Sequence, residues 1–398
     1  MSSLTVPQIT ASEVLNTPSR TQIFQLFALA EHELSKGRLA EALILFRFIA
    51  SIDPSNTDAG ARIALILFRR EQWNEAWDAF DIRFKLMGAE PKVAARNADG
   101  MVRAVPRWRG GPLPKHLLVM DEQGFGDTLN FVHFLKPLSE RGVKITFVTH
   151  PQLFKLIKSM DLAIDLKRND GSGSVPGVTA WVPLLNIPRA LGLEPQEYTA
   201  SVPYLKADRV SEEKWRKKLD PKAFKIGIVW SGNPNSPADK GRSMPLETFA
   251  PLASIPGVQL ISLQKGEAAL EAGTVAFAKR VKTLGDEFDS SEDAFIDSAA
   301  VMMSLDLIVS VDTAIVHLAG ALGRPVHVLL QKNPDWRWLA RESDSVWYPT
   351  AQLFRQQELG DWSEPVSRVC SEIGSLMKTG VSVQRKSGPR GKATRKAG

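Results

Sequence analysis

The chain has 398 residues, of which 43% are hydrophobic and 24% are charged. This composition is typical of a folded globular protein and excludes collagen, a coiled-coil rod and a wholly disordered chain. At about 100–200 residues per domain, the length predicts two to three domains. The single cysteine, Cys370, can form neither an internal disulfide nor a cysteine-based zinc site, which favours a reducing compartment.

The net charge of +6 comes from the C-terminal end of the chain. Residues 381–398 carry six Lys and Arg side chains and no acidic residue, so the rest of the chain is close to neutral. The segment also lacks apolar periodicity, which predicts a basic disordered tail over 378–398. Such a tail either solubilises the chain or contacts nucleic acid or anionic lipid weakly. We favour the first interpretation and expect no specific nucleic-acid partner.

The opening residues of the sequence do not have the pattern of a signal peptide. They are polar and lack a basic region followed by an apolar one, so we expect no signal peptide and a flexible segment over 1–20. No apolar run reaches the roughly 20 residues that a membrane span needs. We therefore expect a cytoplasmic protein without a transmembrane segment.

Residues 21–90 show a helical pattern that repeats every 34 residues. Under this shift Ala30 aligns with Ala64, Ala42 with Ala76 and Phe46 with Phe80. A 34-residue period with small residues where helices cross is typical of tetratricopeptide repeats, and it predicts two of them. An accidental pair of amphipathic hairpins is the alternative. Because two repeats bury little surface alone, they are expected to dock on the next domain or on a further helix before residue 21.

From residue 115 onward the pattern alternates between strand and helix. A connector rich in glycine and proline over 91–114 precedes it. Two successive alternating regions, 115–205 and 222–377, predict an α/β fold with two Rossmann-like domains. The predicted strands cover 116–120, 144–149, the start of 180–191, 224–230, 258–264, 306–312 and 325–331. The predicted helices that bear on the site cover 128–140, 292–305, 313–323 and 363–377.

Ligands of such folds bind beyond the carboxyl ends of the strands, which selects a few loops. These loops span 121–128, 231–243, 264–267 and 312–317. The last of them belongs to the segment SVDTAIVHLA (310–319), in which Asp312 is a suitable N-cap and Thr313 and Ala314 open a helix. The amide groups at a helix start attract anions, and His317 lies one turn from Thr313 on the same face. The segment predicts either a diphosphate site or a capped helix with a buried histidine.

Polar and basic side chains in two of these loops are candidate partners of the same anion. Their common feature is a position directly after a strand of the second domain, and they comprise Ser231, Lys240, Arg242, Ser243, Gln264 and Lys265. Most surface lysines are merely solvated. Its position immediately after a strand makes Lys265 a better candidate than Lys240.

The loop EQGFGD (122–127) is the other candidate site. Gln123 leads into Gly124 and Gly126, which permit a tight turn and a close approach of the backbone to a ligand. Asp127 either caps a helix that begins at Thr128 or serves as a general base, for which burial would have to raise its pKa. The spacing is a poor dinucleotide fingerprint and lacks an acidic residue about 20 positions later, so NAD binding is rejected.

Several other chemistries find no support in the sequence. There is no Walker lysine loop, no HExxH, no GxSxG and no pair of aspartates separated by one residue. The six histidines are dispersed along the chain. We therefore expect no metal site and no cofactor.

Taken together, these motifs resemble bacterial tetratricopeptide-repeat glycosyltransferases, which are related to heptosyltransferases and to protein O-GlcNAc transferases. The segments that carry the resemblance are PRWRG (106–110), DEQGFGDT (121–128), WVPL (181–184), GIVWSGNP (227–234), RSMPL (242–246), SLQKG (262–266), SVDTAIVHLAGALGRPV (310–326) and DWRWL (335–339). With the repeats, the resemblance covers most of the chain outside its two ends.

The resemblance implies a GT-B fold and an inverting, metal-independent glycosyltransferase. It implies Asp127 as the base and Asp312, Thr313 and His317 as the diphosphate-binding set, with a nucleotide-diphosphate sugar as co-substrate. The transferred group would be a hexose, heptose or N-acetylhexosamine, and the acceptor a protein or glycan, with a protein partner on the repeats. The alternatives are a non-catalytic scaffold protein that kept the fold, and an assembly platform built from the repeats and the tail.

Overall fold

A computed structural model describes residues 18–96, 100–171, 175–194, 202–236 and 239–379. The predicted flexible N-terminus and basic tail therefore lie outside the described residues, apart from 18–20 and 378–379. The chain divides into two compact units. The helical unit contains the described residues up to Lys92 together with Asn333–Ala340, and the sheet unit contains the remainder.

The helical unit begins with four helices, as the repeat pattern predicts. Ser19 and Gln22 form a capping box at the start of the first helix. Ala30, Ala42 and Ala76 are fully buried, because small residues allow neighbouring helices to approach closely. The predicted helical hairpins are thus present, and their assignment as tetratricopeptide repeats stays a prediction. The helices are α1 Arg20–Ser35, α2 Leu39–Ile52, α3 Thr57–Arg69, α4 Trp73–Phe80 and the short α5 Ile82–Leu86.

A segment from far along the chain completes the helical unit. The indole of Trp336 stacks on Phe68 of α3, with ring centroids 4.1 Å apart and planes inclined by 22°. The rings of Trp77 and Phe80 pack edge-on against the same indole. The helices therefore gain apolar burial from Asn333–Ala340, a segment that belongs by sequence to the predicted second Rossmann-like region.

The sheet unit contains two parallel sheets, which confirms the predicted α/β fold with a pair of Rossmann-like sheets. The first has the strand order β5-β4-β3-β6 and the second β12-β11-β10-β7-β8-β9. The strands of the first sheet are β3 His116–Met120, β4 Lys144–Thr149, β5 Asp165–Arg168 and β6 Ala180–Pro183. Those of the second are β7 Phe224–Val229, β8 Val258–Ser262, β9 Val281–Lys282, β10 Leu307–Val311, β11 Val326–Leu330 and β12 Ala351–Arg355. A small antiparallel hairpin, β1 Ala94–Arg96 and β2 Val102–Ala104, precedes them.

Helices follow most of the strands and cover the sheets. They are α6 Phe125–Phe131, α7 Leu135–Glu140, α8 Phe154–Lys158, α9 Ile187–Leu191, α10 Arg209–Arg216, α11 Ala250–Ala253, α12 Ile296–Met302, α13 Ala314–Ala321 and α14 Ser363–Thr379. Every residue of β10 and β11 is buried, as expected for parallel strands with helices on both faces. Of the helices in the described ranges, none combines the length and apolar character that crossing a bilayer requires.

Each sheet has one point at which the strand order reverses direction. In the second sheet β7 lies between β8, which follows it along the chain, and β10, to which the chain returns later. In the first sheet β3 lies in the same way between β4 and β6. Ligands of open α/β sheets bind beyond the carboxyl ends of the strands at such a switch point. The loops after β3, β7 and β10 are therefore the candidate ligand-binding loops.

Candidate functional site

The loops after β7, β8 and β10 lie at the same edge of the second sheet, because these three neighbouring strands are parallel. This edge holds the side chains of Ser231, Gln264 and Asp312. The predicted donor-side residues follow these strands, and their loops therefore lie at one edge of the second sheet. What each of them does there differs from residue to residue.

The helix α13 begins at this edge, one residue later than predicted. Thr313, not Asp312, is its N-cap residue, and its side chain makes no capping bond. The Thr313 hydroxyl instead lies 3.2 Å from Oγ of Ser310. The prediction that Asp312 is the N-cap residue is therefore wrong. The backbone is extended at Thr313, so the helix begins after that residue. Asp312 is buried, and His317 is buried one turn into the helix. The first amide groups of α13 remain an anion-attracting feature.

The loop after β7 folds on itself around Asp239. The Ser243 hydroxyl donates to this carboxylate at 2.8 Å and accepts from the amide of Gly232 at 2.9 Å. The Arg242 guanidinium pairs with the same carboxylate at 3.2 Å. Lys240 is exposed. The positive charge that the sequence places in this loop is thus partly neutralised within the loop.

Gln264 and Lys265 make structural contacts where phosphate contacts were predicted. The buried Gln264 side chain accepts from the amides of Trp230 and Ser231 at 3.1 and 3.0 Å and donates to two backbone carbonyls at 3.0 Å. It therefore fixes the end of β7 to the end of β8. The Nζ atom of Lys265 donates to the carbonyl oxygen of Phe288 at 2.6 Å. Their roles toward a donor stay predictions.

The glycine loop after β3 leads into α6, which begins three residues before the predicted start. Gly124 is the N-cap residue, and Gln123 adopts a positive φ of 62° immediately before it. Asp127 occupies the third position of the helix, and its Oδ2 accepts from the Gly124 amide at 2.8 Å. The helix start predicted at Thr128 is therefore wrong. Asp127 does cap a helix, but it reaches backward from inside the first turn.

The starts of α6 and α13 lie against each other, so the glycine loop of the first sheet meets the candidate anion site of the second. A Cβ atom added at Gly126 would lie 3.1 Å from Cδ2 of His317 and 3.5 Å from Cα of Ala314. This spacing explains Gly126, because a side chain there would crowd α13. Asp127 and Thr313 thus belong to adjacent helices, as a shared cleft requires.

Two buried residues that the sequence did not single out, Tyr348 and Asn130, form a hydrogen-bond network with His317. The hydroxyl of Tyr348 is 2.9 Å from Nδ1 of His317 and accepts from Nδ2 of Asn130 at 2.8 Å. Asn130 stands within an apolar stretch of α6, a signal that could have indicated a buried polar network. Nothing local marks Tyr348.

A further pair lies beside the glycine loop. Asp121 directly follows β3, its side chain is 3% exposed, and it accepts a hydrogen bond from the backbone amide of His150. The imidazole of His150 lies 3.6 Å from the same carboxylate. Burial raises the pKa of Asp121, and the nearby His150 opposes the rise. The described residues contain no cluster of three or more His, Cys, Asp or Glu side chains that could hold a metal ion.

The fold is similar to several solved glycosyltransferase structures. The ADP-heptose LPS heptosyltransferase II of E. coli has 15% identity and a TM-score of 0.47, and the match covers 67% of this chain and 99% of that one. A family 9 glycosyl transferase of Veillonella parvula has 12% identity, coverage of 68% and 98%, and a TM-score of 0.44. The O-GlcNAc transferase of Thermobaculum terrenum has 14% identity, coverage of 89% and 84%, and a TM-score of 0.34. Because all three TM-scores lie below 0.5, the fold assignment rests on the strand order described above.

Among proteins of known sequence, the chain is similar to protein FlbA of Caulobacter vibrioides. The two are 25% identical over 341 residues, which make up 78% of this chain and 54% of FlbA. The chain thus spans about half the length of this relative. No protein-family model matches the chain.

Proposed function

We propose that this chain is an inverting glycosyltransferase that moves a sugar from a nucleotide-diphosphate donor to an acceptor hydroxyl. The observation that carries the proposal is the contact between α6 and α13 at Gly126. It brings together the loops at the switch points of both sheets, which supports a carboxylate and an amide-rich helix start acting on one ligand. The motifs that resemble the glycosyltransferases lie in these loops.

In the proposed reaction Asp127 removes the proton from the acceptor hydroxyl. The acceptor oxygen attacks the anomeric carbon while the bond from that carbon to the diphosphate breaks, and the diphosphate leaves with the electron pair. A carboxylate has about four lone-pair sites. The Asp127 carboxylate can therefore take up a proton while it also accepts the hydrogen bond from the Gly124 amide.

The departing diphosphate needs stabilisation by positive charge or by N–H donors. We propose that the first amides of α13, the Thr313 hydroxyl and His317 supply the donors, since groups fixed before the reaction stabilise charge as it develops. Arg242 supplies a further donor when its guanidinium leaves the Asp239 carboxylate and binds the phosphate. We expect turnover without a divalent metal. A protein acceptor held along the helical unit is the substrate class that we favour.

A non-catalytic binding or scaffold protein is the second candidate, and specific contacts favour it. Asp127 caps its own helix, Arg242 is paired with Asp239, and the Lys265 ammonium is bonded to a backbone carbonyl. Each of these groups thus has a structural role that does not require a reaction. Such a protein would bind a nucleotide without turnover, or bind none.

The variant Asp127→Asn separates the two candidates. An asparagine oxygen can still accept from the Gly124 amide, so the helix cap is kept while the ability to take up a proton is lost. We expect donor binding to persist and release of nucleoside diphosphate to fall by about 10²–10⁴-fold. The assay incubates the protein with a panel of nucleotide-sugars in EDTA, and thermal shift reports donor binding.

Asp208→Asn is the matched control, because Asp208 also caps a helix, by accepting from the Ser211 amide at 2.9 Å. It lies at the start of α10, and we expect wild-type turnover. Equal turnover in wild type and Asp127→Asn would exclude Asp127 as the base. Donor binding by a wild-type protein that shows no turnover across the panel would favour the scaffold.

A further inference from the structure

The helical unit contains a buried arginine whose charge is poorly compensated. Arg69 is the last residue of α3, and only 8% of it is exposed. A guanidinium stays protonated in proteins, although burial lowers the pKa of Arg69 from its ordinary value. Taking such an ion out of water is costly unless hydrogen bonds and an opposite charge offset the loss of hydration. The groups around Arg69 therefore decide whether its charge is offset within the chain.

The hydrogen bond that the guanidinium makes is long. Nη2 of Arg69 donates to Oδ1 of Asn333 at 3.5 Å, and Nδ2 of Asn333 donates to the carbonyl oxygen of Ser35, at the end of α1, at 3.4 Å. The Nε atom is buried without a partner. A guanidinium presents a fork of N–H donors, and most of those of Arg69 have no acceptor in the described part of the chain. No described carboxylate forms an ion pair with it.

A second buried arginine of the same unit is compensated much better. Arg83 is 6% exposed, and its Nη1 atom donates to the carbonyl oxygen of Phe80 at 3.1 Å and pairs with Asp81 at 3.4 Å. Its guanidinium also lies over the rings of Phe80 and Phe84, 4.4 and 4.2 Å from their centroids. Arg83 thus has an acid, a carbonyl and two aromatic faces around it, whereas Arg69 has one side-chain amide. The comparison marks Arg69 as a cation suited to an external counter-ion.

The charge around Arg69 is positive beyond what the helix ends offset. Lys36 is the C-cap residue of α1, and Arg70 is that of α3. Both are exposed, and neither pairs with an acid among the residues that the structure describes. Glu71 is the adjacent acid, and the carbonyl ends of α1 and α3 each carry about half a negative charge. Three cations against one carboxylate and two helix ends leave about one positive charge to be balanced.

We infer that Arg69 binds an oxyanion of the phosphate or carboxylate class, with Lys36 and Arg70 adding positive charge around it. The planar fork of a guanidinium matches two oxygen atoms of such an ion, and charge-assisted bonds of this kind are stronger than those between neutral groups. Nε is enclosed, whereas Nη1 is open to solvent, so an ion has access to one edge of the fork. The site lies within the helical unit and does not depend on the proposed transfer reaction.

The experiment titrates the whole protein with inorganic phosphate. Isothermal calorimetry measures binding, and thermal melting compares potassium phosphate with potassium chloride at equal ionic strength. We expect saturable binding and a Tm that rises with phosphate and then levels off, because a ligand of the folded state stabilises it. A parallel acetate series separates the two sources, since the anion that gives the larger saturable rise identifies the ligand as phosphate-like or carboxylate-like.

Arg69→Met is the decisive variant, because methionine is an unbranched side chain without N–H donors or charge. We expect it to bind one anion fewer per chain than wild type and to lose the corresponding rise in Tm. In chloride it should melt no lower than wild type, since an uncompensated buried charge has been removed. Arg83→Met is the matched control, and it should melt lower in chloride but keep the anion response. An anion at the start of α13 would give a second response that both variants share with wild type.

Three results would overturn the inference. They are the lack of any saturable response to phosphate or acetate in wild type, a response of folded Arg69→Met equal to that of wild type, and a loss of Tm in chloride as large as that of Arg83→Met. The double variant Lys36→Gln, Arg70→Gln changes only exposed side chains and tests the site even if Arg69→Met does not fold. We expect its dissociation constant for the anion to rise by about two- to tenfold, and an unchanged constant would contradict the charge argument.

Discussion

The most direct test of the packing between α13 and Tyr348 is Gly320→Ala. An ordinary carbon–carbon contact is about 3.5–4.0 Å, so a Cβ atom 2.3 Å from the Tyr348 ring forces the ring to move by more than about 1 Å. Overpacking of a core costs about 1–3 kcal/mol, and displacing the tyrosine weakens hydrogen bonds worth about 0.5–1.5 kcal/mol each. Alanine regains about 1 kcal/mol of helix propensity. With both hydrogen bonds of the Tyr348 hydroxyl lost, we expect a net loss of about 1–5 kcal/mol in the free energy of unfolding.

Gly374→Ala is the matched control. Gly374 also lies within a helix, α14, but a Cβ atom there would meet nothing within 4 Å. We expect it to gain up to about 1 kcal/mol. Urea unfolding of both variants measures the difference. Combining Gly320→Ala with Tyr348→Ala should abolish most of the cost of the alanine at 320, since the obstructing ring is gone. A Gly320→Ala protein as stable as Gly374→Ala, or a cost that persists without the ring, would refute the packing argument.

Three further predictions concern stability. Burial lowers the pKa of His133 to about 3 and that of His327 to about 4, so the folded state binds fewer protons than the unfolded state. Stability should then be full above about pH 6.5 and fall as the pH drops toward 4, and a double His→Gln variant should flatten this slope in urea unfolding between pH 7 and 5. Gln264→Ala leaves backbone groups without partners and should cost about 2–4 kcal/mol in urea unfolding, and an unchanged midpoint would contradict this. Trp336→Ala removes the ring stacked on Phe68 and should destabilise the helical unit by about 3–5 kcal/mol, measured as loss of far-UV ellipticity at lower urea, whereas a wild-type curve would show that Asn333–Ala340 is dispensable.

The buried strands could be predicted from the sequence alone. The segments 116–120 and 144–149 agree with β3 and β4 at both ends, because a strand covered on both faces is a short apolar run between polar turns. Three of the four strands at the sheet edges, β5, β9 and β12, were missed. β5, Asp165–Arg168, is largely polar, and β9 has only two residues, Val281–Lys282. These strands exist because a neighbouring strand offers hydrogen bonds, and no local pattern records that partner.

The helix after β3 shows where local reasoning reaches its limit. A continuous helix was predicted from Thr128 to Glu140, but α6 begins at Phe125 and a 3-10 turn at Val132–Phe134 interrupts it. Capping rules identified Asp127 as a capping residue and placed it on the wrong side of the boundary. The deciding contact is the bond from the Gly124 amide, which a carboxylate inside the first turn satisfies as well as one before it.

The sequence predicted which loops lie together more accurately than it predicted the contacts of their side chains. The loops beyond the strand ends do converge, because the topology of a parallel sheet is encoded in the order of strands and helices. Which partner each side chain takes depends on residues distant in sequence, as for Lys265 with Phe288 and His317 with Tyr348. Sequence spacing carries no information about such pairs.

Two of the glycines in these motifs have a packing role that is independent of any ligand. Neither Gly126 nor Gly320 adopts a positive φ, yet a Cβ atom at Gly320 would collide with the Tyr348 ring and one at Gly126 would crowd His317. Packing around α13 therefore favours glycine at both positions, whether or not a sugar is transferred. A motif match at these positions consequently supports the fold rather than the reaction. Evidence for catalysis has to come from a variant that keeps this packing and the helix cap. Asp127→Asn is such a variant, because it removes only the ability of the side chain to take up a proton.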